Sequence, residues 1–597
     1  MSEHFRFSPR PNRANEIHWR SWGPQAFAEA QAHDKPILLS LSAVWCHWCH
    51  VMDETTYSSP DVIATINEKF IPIRVDNDQR PDINARYNMG GWPTTAFLMP
   101  TGETITGTTY VPPQQMLELL ERVASFYHES KADIREKIAA EALPLLTGVP
   151  DDAALSERIV DRVVDAISDF YDAQYGGFGN APKFPMTDAL ELLLEHWLRT
   201  KEPRLRAMLE KTLRAMADHG MYDHVEGGWF RYSTDREWRV PHFEKMAEDH
   251  AGLLRVYSRF ARATSDAHLR SRVEGAIRWL MSTLYDERSG LFGGSQDADE
   301  VYYAKPLEER RAMQAPYVDR TSYTNWTAGL AGALFETAAL LDDASLADRA
   351  VRALDVLWDR MHDEINGLLF HVLQPGGKPQ VWGLLTDAAA MLRALLDAHV
   401  ATGESRMLTR AEQLADEVVT SLLSAHGGFY DRAPDAGEAL GLLAAPDRPM
   451  GDNSSVAGSL LRLAALADRP ELHARAEEAL MLYARSYEKA GSFAAPYAMA
   501  VARAMAPPEV VTIVTDAADG QPLRDAALSL RLHYPLLDVR TLDAARDAQR
   551  VARSGYRADG GAVAYVCIGT TCAAPAHAPE ELVHAFTALC EARALKS

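Results

Sequence analysis

The chain has 597 residues, a formal net charge of −22 and 47% hydrophobic side chains. It is longer than the roughly 250 to 300 residues at which a single core stops growing, so several domains are expected. The acidic balance, without clusters of Lys and Arg, argues against nucleic acid and anionic membranes as partners. The apolar runs are too short to cross a bilayer and residues 1–6 lack an apolar signal core, which together predict a cytoplasmic protein.

The first segment, residues 1–140, alternates predicted strands and helices. An apolar run at 37–44 predicts a buried strand, and it ends directly at Trp45-Cys46-His47-Trp48-Cys49-His50. A second strand at 70–76, a hairpin over 94–107 and a closing helix at about 113–130 follow. This order, with a Cys-x-x-Cys pair at the junction of strand and helix, predicts a thioredoxin fold.

The second segment, residues 155–503, is helical by periodicity and contains a repeat. Glycine turns followed by an aromatic or Leu residue recur at intervals of 51 to 77 residues, at Gly176, Gly227, Gly290, Gly367, Gly427 and Gly491. One helical hairpin per repeat gives six hairpins, which predicts a closed (α/α)6 toroid; an irregular helical array is the alternative. The first four turns have an Asp four residues before the Gly, a residue type that forms turns: Asp172, Asp223, Asp286 and Asp363.

The third segment, residues 508–597, follows Pro507-Pro508, which ends the helical region. Predicted strands at 509–515 and 561–567, with a helix at about 522–530 between them, indicate a small α/β domain. Cys567 and Cys572 lie five residues apart in this domain, and the sequence leaves open whether they pair. Cys590 has the pattern of a core residue on the last helix.

The Cys46-x-x-Cys49 pair stands out because the whole chain contains only five cysteines. Cys46, at the predicted helix start, is expected to be the attacking thiolate and Cys49 the resolving thiol. His47 and His50 would stabilise the thiolate if protonated, and Trp45 would shield the pair. Pro93, if its peptide bond is cis, would lie beside the thiols. These residues predict a thiol–disulfide oxidoreductase that acts on protein thiols or disulfides and needs no cofactor.

Three other interpretations of the motif compete with this one. Cys46-His47-Trp48-Cys49-His50 matches the Cys-x-x-Cys-His pattern of c-type haem attachment, but a strand packed directly before it leaves little room for a macrocycle. A zinc site lacks a second ligand pair of suitable spacing, so no metal is predicted. A purely structural disulfide is the third possibility.

The toroid offers a second group of candidate residues. Pro241 is expected to open a helix on which His242, Lys245 and Asp249 share one face. On this hypothesis His242 is a general acid or base, with Glu244 or Asp249 as its partner. Asp297 and Asp299 would form a carboxylate pair for sugar hydroxyls, and Asp223 with His224 lies at a turn. Trp229 would stack on a sugar face, and Lys183 would contact an anion.

Each of these side chains also has an ordinary structural explanation. Carboxylates and His near helix starts are frequently caps or hydrogen-bonded core polars, and Lys183 is most simply a solvated loop lysine. The alternative function is a carbohydrate-active enzyme, a sugar epimerase or glycoside hydrolase with a small sugar-like ligand, in which the Cys pair is regulatory. A binding protein without turnover is the third class.

The motifs in order resemble the spermatogenesis-associated thioredoxin-like proteins and their bacterial relatives. The resemblance covers about residues 12–582 and rests on Lys35-Pro36-Ile37, Cys46-His47-Trp48-Cys49-His50-Val51-Met52, Arg80-Pro81-Asp82-Ile83, Gly90-Gly91-Trp92-Pro93, Gly176-Gly177-Phe178-Gly179, Pro182-Lys183-Phe184-Pro185 and His242-Phe243-Glu244-Lys245-Met246. It implies a thioredoxin-like domain joined to a toroid like that of six-hairpin glycosidases and N-acylglucosamine 2-epimerases. The segment at 12–18 is shorter than the family's usual arm.

Overall fold

The computed structural model describes residues 5–141, 154–437, 439–516, 520–557 and 561–594. Residues 1–4 and 595–597, which the first and last predicted domains include, lie outside the described residues, as do 142–153. Within the described ranges, no helix has both the length and the apolar character needed to cross a membrane.

The N-terminal elements form a thioredoxin fold. In chain order they are α1 (Pro24–His33), β1 (Ile37–Ser42), α2 (His47–Glu54), α3 (Pro60–Lys69), β2 (Ile71–Asp76), α4 (Pro81–Tyr87), β3 (Thr94–Leu98), β4 (Thr104–Thr108) and α5 (Pro113–Glu141). The sheet order is β2-β1-β3-β4, with β1 parallel to β2 and antiparallel to β3. The closing helix α5 extends beyond the end that the sequence predicts.

The central strand β1 is buried on both faces of this sheet, which explains its continuous apolar run. Leu38 packs with Phe97 in the core beneath α3 and α5. Leu39 packs on the other face, in the core with Ile73 and with α1 and α4 residues. The strand therefore presents its carboxyl end, and the cysteines after it, at one edge of a rigid sheet.

The central region is a ring of helical hairpins. Its helices are α6 (Glu157–Asp169), α7 (Thr187–Thr200), α8 (Pro203–Asp218), α9 (Ala247–Thr264), α10 (Ala267–Thr283), α11 (Glu300–Tyr303), α12 (Leu307–Arg311), α13 (Thr324–Leu341), α14 (Ala344–Met361), α15 (Leu385–Thr402), α16 (Ser405–Ser421), α17 (Met450–Leu466), α18 (Pro470–Met481) and α19 (Ala495–Met505). Short strands lie in the loops: β5 (Tyr232–Ser233), β6 (Pro241–His242), β7 (Lys245–Met246), β8 (Tyr285–Asp286), β9 (Leu291–Phe292), β10 (Ser295–Gln296), β11 (Val318–Asp319), β12 (Ser322–Tyr323), β13 (Phe370–Leu373) and β14 (Gln380–Trp382).

The ring is closed, as the glycine repeat predicts. The inner helices α7, α9, α13, α15, α17 and α19 each pack on the next, and α19 packs back on α7. The outer helices α8, α10, α14, α16, α18 and α6 pack on them in the same order. Gly176 and Gly227 have φ of +71° and +90°, a left-handed conformation that explains why the repeated turns keep glycine.

The C-terminal elements form a second sheet with the order of the first. They are β15 (Glu509–Thr515), α20 (Gln521–Arg531), β16 (Leu537–Asp543), α21 (Ala548–Ser554), β17 (Val563–Ile568), β18 (Thr571–Cys572) and α22 (Pro579–Ala594). The order is β16-β15-β17-β18, with β15 parallel to β16 and antiparallel to β17. Cys567 and Cys572 face each other across the terminal hairpin and are disulfide-bonded, which answers the question that the sequence leaves open.

Candidate active site at the junction of the thioredoxin fold and the toroid

The cysteine pair lies at the start of α2, directly beyond the central strand. Cys46 and Cys49 form a disulfide with a Cα–Cα separation of 5.2 Å. Cys46 is the N-cap of α2, and the Cys49 N–H donates to Cys46 Sγ at 3.2 Å. A backbone donor and a helix N-terminus at this sulfur both favour a thiolate on Cys46 after reduction.

An aromatic pair and one toroid arginine flank the disulfide. The rings of Trp45 and Trp92 lie 5.8 Å apart, edge to face, and the peptide bond from Trp92 to Pro93 is cis. The Arg231 guanidinium lies 4.1 Å from the Trp45 ring centre and 5.1 Å from that of Trp92. Arg231 belongs to the toroid, so this cation–π contact joins the two domains beside the redox pair.

The toroid covers the disulfide. Cys46 and Cys49 are each only 3% exposed, and they share a buried cluster with Met246, the residue that caps α9. Glu244 Oε1 accepts from the His47 N–H at 3.4 Å and lies 3.3 Å from His242 Nδ1. The redox pair therefore lies against the end of the ring where α9 begins, instead of on an open surface.

His50 and Asp297 meet across the same junction. His50 Nδ1 lies 3.9 Å from Asp297 Oδ1, and its other ring nitrogen lies 3.1 Å from the Val44 carbonyl oxygen. Burial lowers the pKa of His50 to about 4 and raises the pKa of Asp297 to about 7. His50 is therefore neutral near pH 7 in the disulfide form, and stabilisation of the thiolate by a protonated His50 in the reduced form stays a prediction. The second motif histidine, His47, keeps its side chain at the rim, 3.8 Å from Glu300.

A buried acidic group behind Trp45 completes the junction and was not predicted from the sequence. Trp45 Nε1 donates to Asp78 Oδ2 at 2.6 Å. Burial, with the neighbouring acids, raises the pKa of Asp78, and that of Asp76 to about 7. A toroid residue, His371, lies 2.8 Å from the Asp78 carbonyl oxygen through Nε2. The sequence signal that was available is the pair Asp76 and Asp78, at the last residue of the buried strand β2 and two residues beyond it.

The expectation that His242, Lys245 and Asp249 share a helical face is wrong. Pro241 and His242 lie in β6, Lys245 lies in β7, and α9 begins only at Ala247. The backbone at 241–242 pairs with β5 and that at 245–246 pairs with β10, so ladder partners replace the first helical turn. His242 stacks on Tyr232, with 4.6 Å between ring centres.

Two candidate lysines are structural rather than solvated. Lys183 is fully buried and donates to Asp172 at 2.6 Å and to the Gly176 carbonyl, so the interpretation as a solvated loop residue is wrong. Lys245 repeats this arrangement with Asp223 and with the Gly227 carbonyl, both at 2.8 Å. Each lysine therefore stabilises one of the first two glycine turns through hydrogen bonds to its Asp and to its Gly carbonyl.

The other toroid candidates divide into two groups. His224 binds the His219 carbonyl in a turn, Asp299 caps the short α11, and Trp229 is fully buried, where no ligand can stack on it. Asp249 is different, because burial raises its pKa to about 7 and its Oδ2 has no hydrogen-bond partner among the described residues. It interacts electrostatically with Arg231 and Glu244. Of the predicted toroid residues, His242, Glu244, Asp249 and Asp297 gather near the cysteines.

Fold and site together define a thioredoxin-fold domain whose Cys-x-x-Cys pair closes one end of an (α/α)6 toroid. Residues 9–145 match the family described as "Thioredox_DsbH: Protein of unknown function, DUF255". The chain is 26% identical over 582 residues to spermatogenesis-associated protein 20 of Homo sapiens, covering 75% of this chain and 74% of that protein. The resemblance that the motifs indicate is thereby confirmed.

Two further similarities are partial. The thiol:disulfide interchange protein DsbD of Campylobacter jejuni is 29% identical over 96 residues, which cover 16% of this chain and 17% of that protein. The structure of cellobiose 2-epimerase from Spirochaeta thermophila covers 64% of this chain and 97% of its own, with 14% identity and a TM-score of 0.48.

Proposed function

We propose that the protein is a thiol–disulfide oxidoreductase in which Cys46 attacks and Cys49 resolves. The observation that carries this proposal is Cys46 at the N-cap of α2, with the Cys49 N–H directed at its sulfur. The match of residues 9–145 to a thioredoxin-like family supports it. The proposal includes a reducing, cytoplasmic setting, in which a dithiol reductant regenerates the cysteines.

The reaction proceeds in two exchange steps. The Cys46 thiolate attacks one sulfur of a substrate disulfide, forms a mixed disulfide and releases the first substrate thiolate. Cys49, once deprotonated, then attacks Cys46 Sγ, forms the Cys46–Cys49 disulfide and releases the second substrate thiolate. Two electrons pass from the protein dithiol to the substrate, and a second dithiol returns them in the same way.

The toroid restricts which substrates reach the pair. Because each cysteine is 3% exposed, we infer that substrates are small thiols, small disulfides or a narrow extended peptide rather than the surface of a folded protein. The rim where His47 approaches Glu300 is the accessible side, since the Glu300 side chain is 67% exposed. A small disulfide such as bis(2-hydroxyethyl) disulfide should therefore react much faster than a disulfide on a folded protein.

A trapping experiment tests this proposal. In Cys49→Ser the resolving thiol is absent, so reduced protein mixed with bis(2-hydroxyethyl) disulfide should retain one mercaptoethanol adduct on Cys46, visible by mass spectrometry of the Cys46 peptide. In Cys46→Ser no adduct should form at residue 49. An adduct on Cys49 instead, or none in either variant, would reject the assigned roles.

A carbohydrate-active toroid is the second candidate function. The grouping of His242, Glu244, Asp249 and Asp297 favours it, because two carboxyl groups with pKa values of about 7 can exchange protons near neutral pH. Asp249→Asn should then abolish turnover of a sugar substrate, while Cys46→Ser should leave that turnover intact. Equal activity of Asp249→Asn and the unmodified chain would remove this candidate.

A further inference from the structure

A cavity of about 260 Å³ lies on the axis of the toroid, beyond the residues assigned to the redox site. All six inner helices contribute to its wall, and Arg531 and Pro535 of the C-terminal domain close it. Asp188 and Asp452 lie near the starts of α7 and α17, whereas Arg503 lies in the last turn of α19. The cavity thus runs from the end near the thioredoxin fold to the end that the C-terminal domain covers.

Arginine dominates the wall of this axial cavity. The six that line it are Arg255, Arg259, Arg393, Arg462, Arg503 and Arg531. They share a smaller number of acidic partners: Asp397 accepts from both Arg255 and Arg462, and Asp538 accepts from both Arg462 and Arg503. Glu191 and Glu195 pair with Arg259, and Glu191 also pairs with Arg393, so four carboxylates pair with five of these six arginines; Glu195 and Glu336 also line the wall.

Two observations indicate that guanidinium donors are available to a ligand at the end under the C-terminal domain. Arg462 is more than nine-tenths buried, yet its Nη2 has no hydrogen-bond partner among the described residues. Arg531 Nε donates to the neutral carbonyl oxygen of Leu537 at 2.8 Å. Burial lowers the pKa of Arg503 and Arg531, whereas the carboxylates of Asp538 and Asp397 outweigh burial and raise the pKa of Arg462.

One wall of the cavity, along α17, has small and hydroxylated side chains and reaches Arg462 of the arginine group. The face of α17 that lines it consists of Gly451, Asp452, Ser454, Ser455, Gly458, Ser459 and Arg462. Burial raises the pKa of Asp452 to about 7 and also raises that of Asp188. These carboxyl groups therefore repel a bound anion less than fully ionised carboxylates would. Serine hydroxyls and protonated carboxyl groups both donate to and accept from a polyhydroxylated ligand.

A second cavity of about 300 Å³ adjoins the axial cavity. It shares with the axial cavity the residues Arg259, Glu336, Asp397, Arg531 and Pro535. It extends to Asp342 and Asp525, both exposed, at the boundary between the toroid and the C-terminal domain. Solvent screening weakens the effect of these two surface acids on an anion deeper in the protein.

We propose that the axial cavity binds a small hydroxylated molecule with a phosphate or carboxylate group. The oxyanion lies at Arg462, Arg503 and Arg531, and the hydroxyl groups face the serines of α17. The C-terminal domain takes part directly, because Arg531 belongs to α20. Neither the cysteines nor His242, Glu244, Asp249 and Asp297 line this cavity.

Isothermal titration calorimetry of the full chain tests the proposal with glucose 6-phosphate, gluconate, inorganic phosphate and glucose as probes. At least one of the three anions should bind, and glucose, which lacks the anionic group, should bind at least ten-fold more weakly. Arg531→Met should weaken anion binding by ten-fold or more, since it removes a cation whose identified acceptor is a carbonyl. Arg475→Met, on the exposed face of α18, is the matched control and should bind as the unmodified chain does.

A second variant blocks the site without removing charge. A Cβ at Gly458 would meet only the Ala500 Cβ, at 3.9 Å, so a longer side chain at this helical position extends into the cavity. Gly458→Met should abolish binding while the helix, relieved of a glycine, stays at least as stable. Binding of none of the three anions, or unchanged binding in both Arg531→Met and Gly458→Met, would overturn the proposal.

Discussion

The two α/β domains have one sheet topology but differ at the positions that matter for thiol chemistry. Both have a central strand parallel to one neighbour and antiparallel to the other, in the orders β2-β1-β3-β4 and β16-β15-β17-β18. After β1 the first carries Cys46 and Cys49, whereas after β15 the second continues with Asp516 and has no cysteine before α20. Before the third strand, Pro93 stands in one domain and Ala562 in the other.

A shared fold therefore fixes where a site can form, and the residues at that position decide whether thiol chemistry takes place there. The two domains also dock on the toroid by different means. The N-terminal domain meets it through the buried cluster of Cys46, Trp45 and Met246, whereas the C-terminal domain is held by the buried carboxylate of Asp538. These two contacts differ, but each interface is mixed: Arg86 of α4 pairs with Asp431 of the toroid at 2.8 Å, and Leu537 and Val539 of β16 belong to the same buried apolar core as the toroid helices.

The largest effect should come from replacing Cys46, and replacing Cys572 of the C-terminal domain is the comparison. Cys46→Ser should reduce disulfide reductase activity to background, because no attacking thiolate remains. Cys572→Ser, which opens the disulfide of the C-terminal hairpin, should leave the rate within two-fold of that of the unmodified chain. The rate of bis(2-hydroxyethyl) disulfide reduction measures both variants. Loss of activity in Cys572→Ser but not in Cys46→Ser would place the reactive thiol in the C-terminal domain instead.

Asp538→Asn tests the ionic docking of the C-terminal domain. It leaves the buried Arg462 and Arg503 without the carboxylate that they share, at an expected cost of about 3 to 5 kcal/mol. The urea midpoint of the first unfolding transition should fall accordingly. The exposed Asp525→Asn, on α20, is the matched control and should change it little. An unchanged midpoint for Asp538→Asn would show that the ionic contact does not hold the domain.

Trp45→Phe tests the hydrogen bond that holds the Trp45 ring in place beside the toroid. It removes the indole N–H that donates to Asp78 at 2.6 Å and leaves a buried carboxyl short of a donor, at an expected cost of about 1 to 3 kcal/mol. Trp48→Phe, at a 43% exposed position, should cost less than about 0.5 kcal/mol. Equal urea midpoints for the two variants would contradict the assigned role of Trp45.

The smallest effect concerns pH at the junction. The pKa of Asp297 is raised to about 7, so the folded state keeps a proton that the unfolded chain loses near pH 4. Its contribution is therefore fully present at low pH and is lost as pH rises through 7. Because the unmodified chain loses this contribution progressively between about pH 4 and pH 7, Asp297→Asn, which is permanently neutral, should raise the unfolding temperature relative to the unmodified chain by more at pH 8 than at pH 5. A thermal shift that does not depend on pH would contradict the raised pKa.

Much of the fold could be predicted from local pattern. The apolar strand before Cys46 and the repeated glycine turns are short-range signals, and both appear in the structure as expected. Strand β16 was missed because its sequence, Leu-Asp-Val-Arg-Thr-Leu-Asp, reads as a polar loop. Asp538 and Arg540 are nonetheless buried there, since Arg462 and Asp468 provide their partners from far along the chain.

The site could be predicted only where its residues are contiguous. Cys46 and Cys49 are evident from the motif, but Arg231 reaches Trp45 from another domain and no sequence spacing encodes that contact. The helix expected at His242 failed because strand partners at β5 and β10 satisfy its backbone. Long-range strand pairing therefore determines the conformation of residues that local periodicity assigns to a helix.

The most direct test of the redox account is the rate of alkylation of reduced Cys46 by iodoacetamide as a function of pH, followed at the Cys46 peptide. The account predicts a thiolate pKa well below the ~8.5 of free cysteine, because Cys46 caps α2 and accepts from the Cys49 N–H. It also predicts that the reduced pair forms its disulfide again in oxidised glutathione. A pKa at or above ~8.5, or a pair that never forms the disulfide again, would contradict the account.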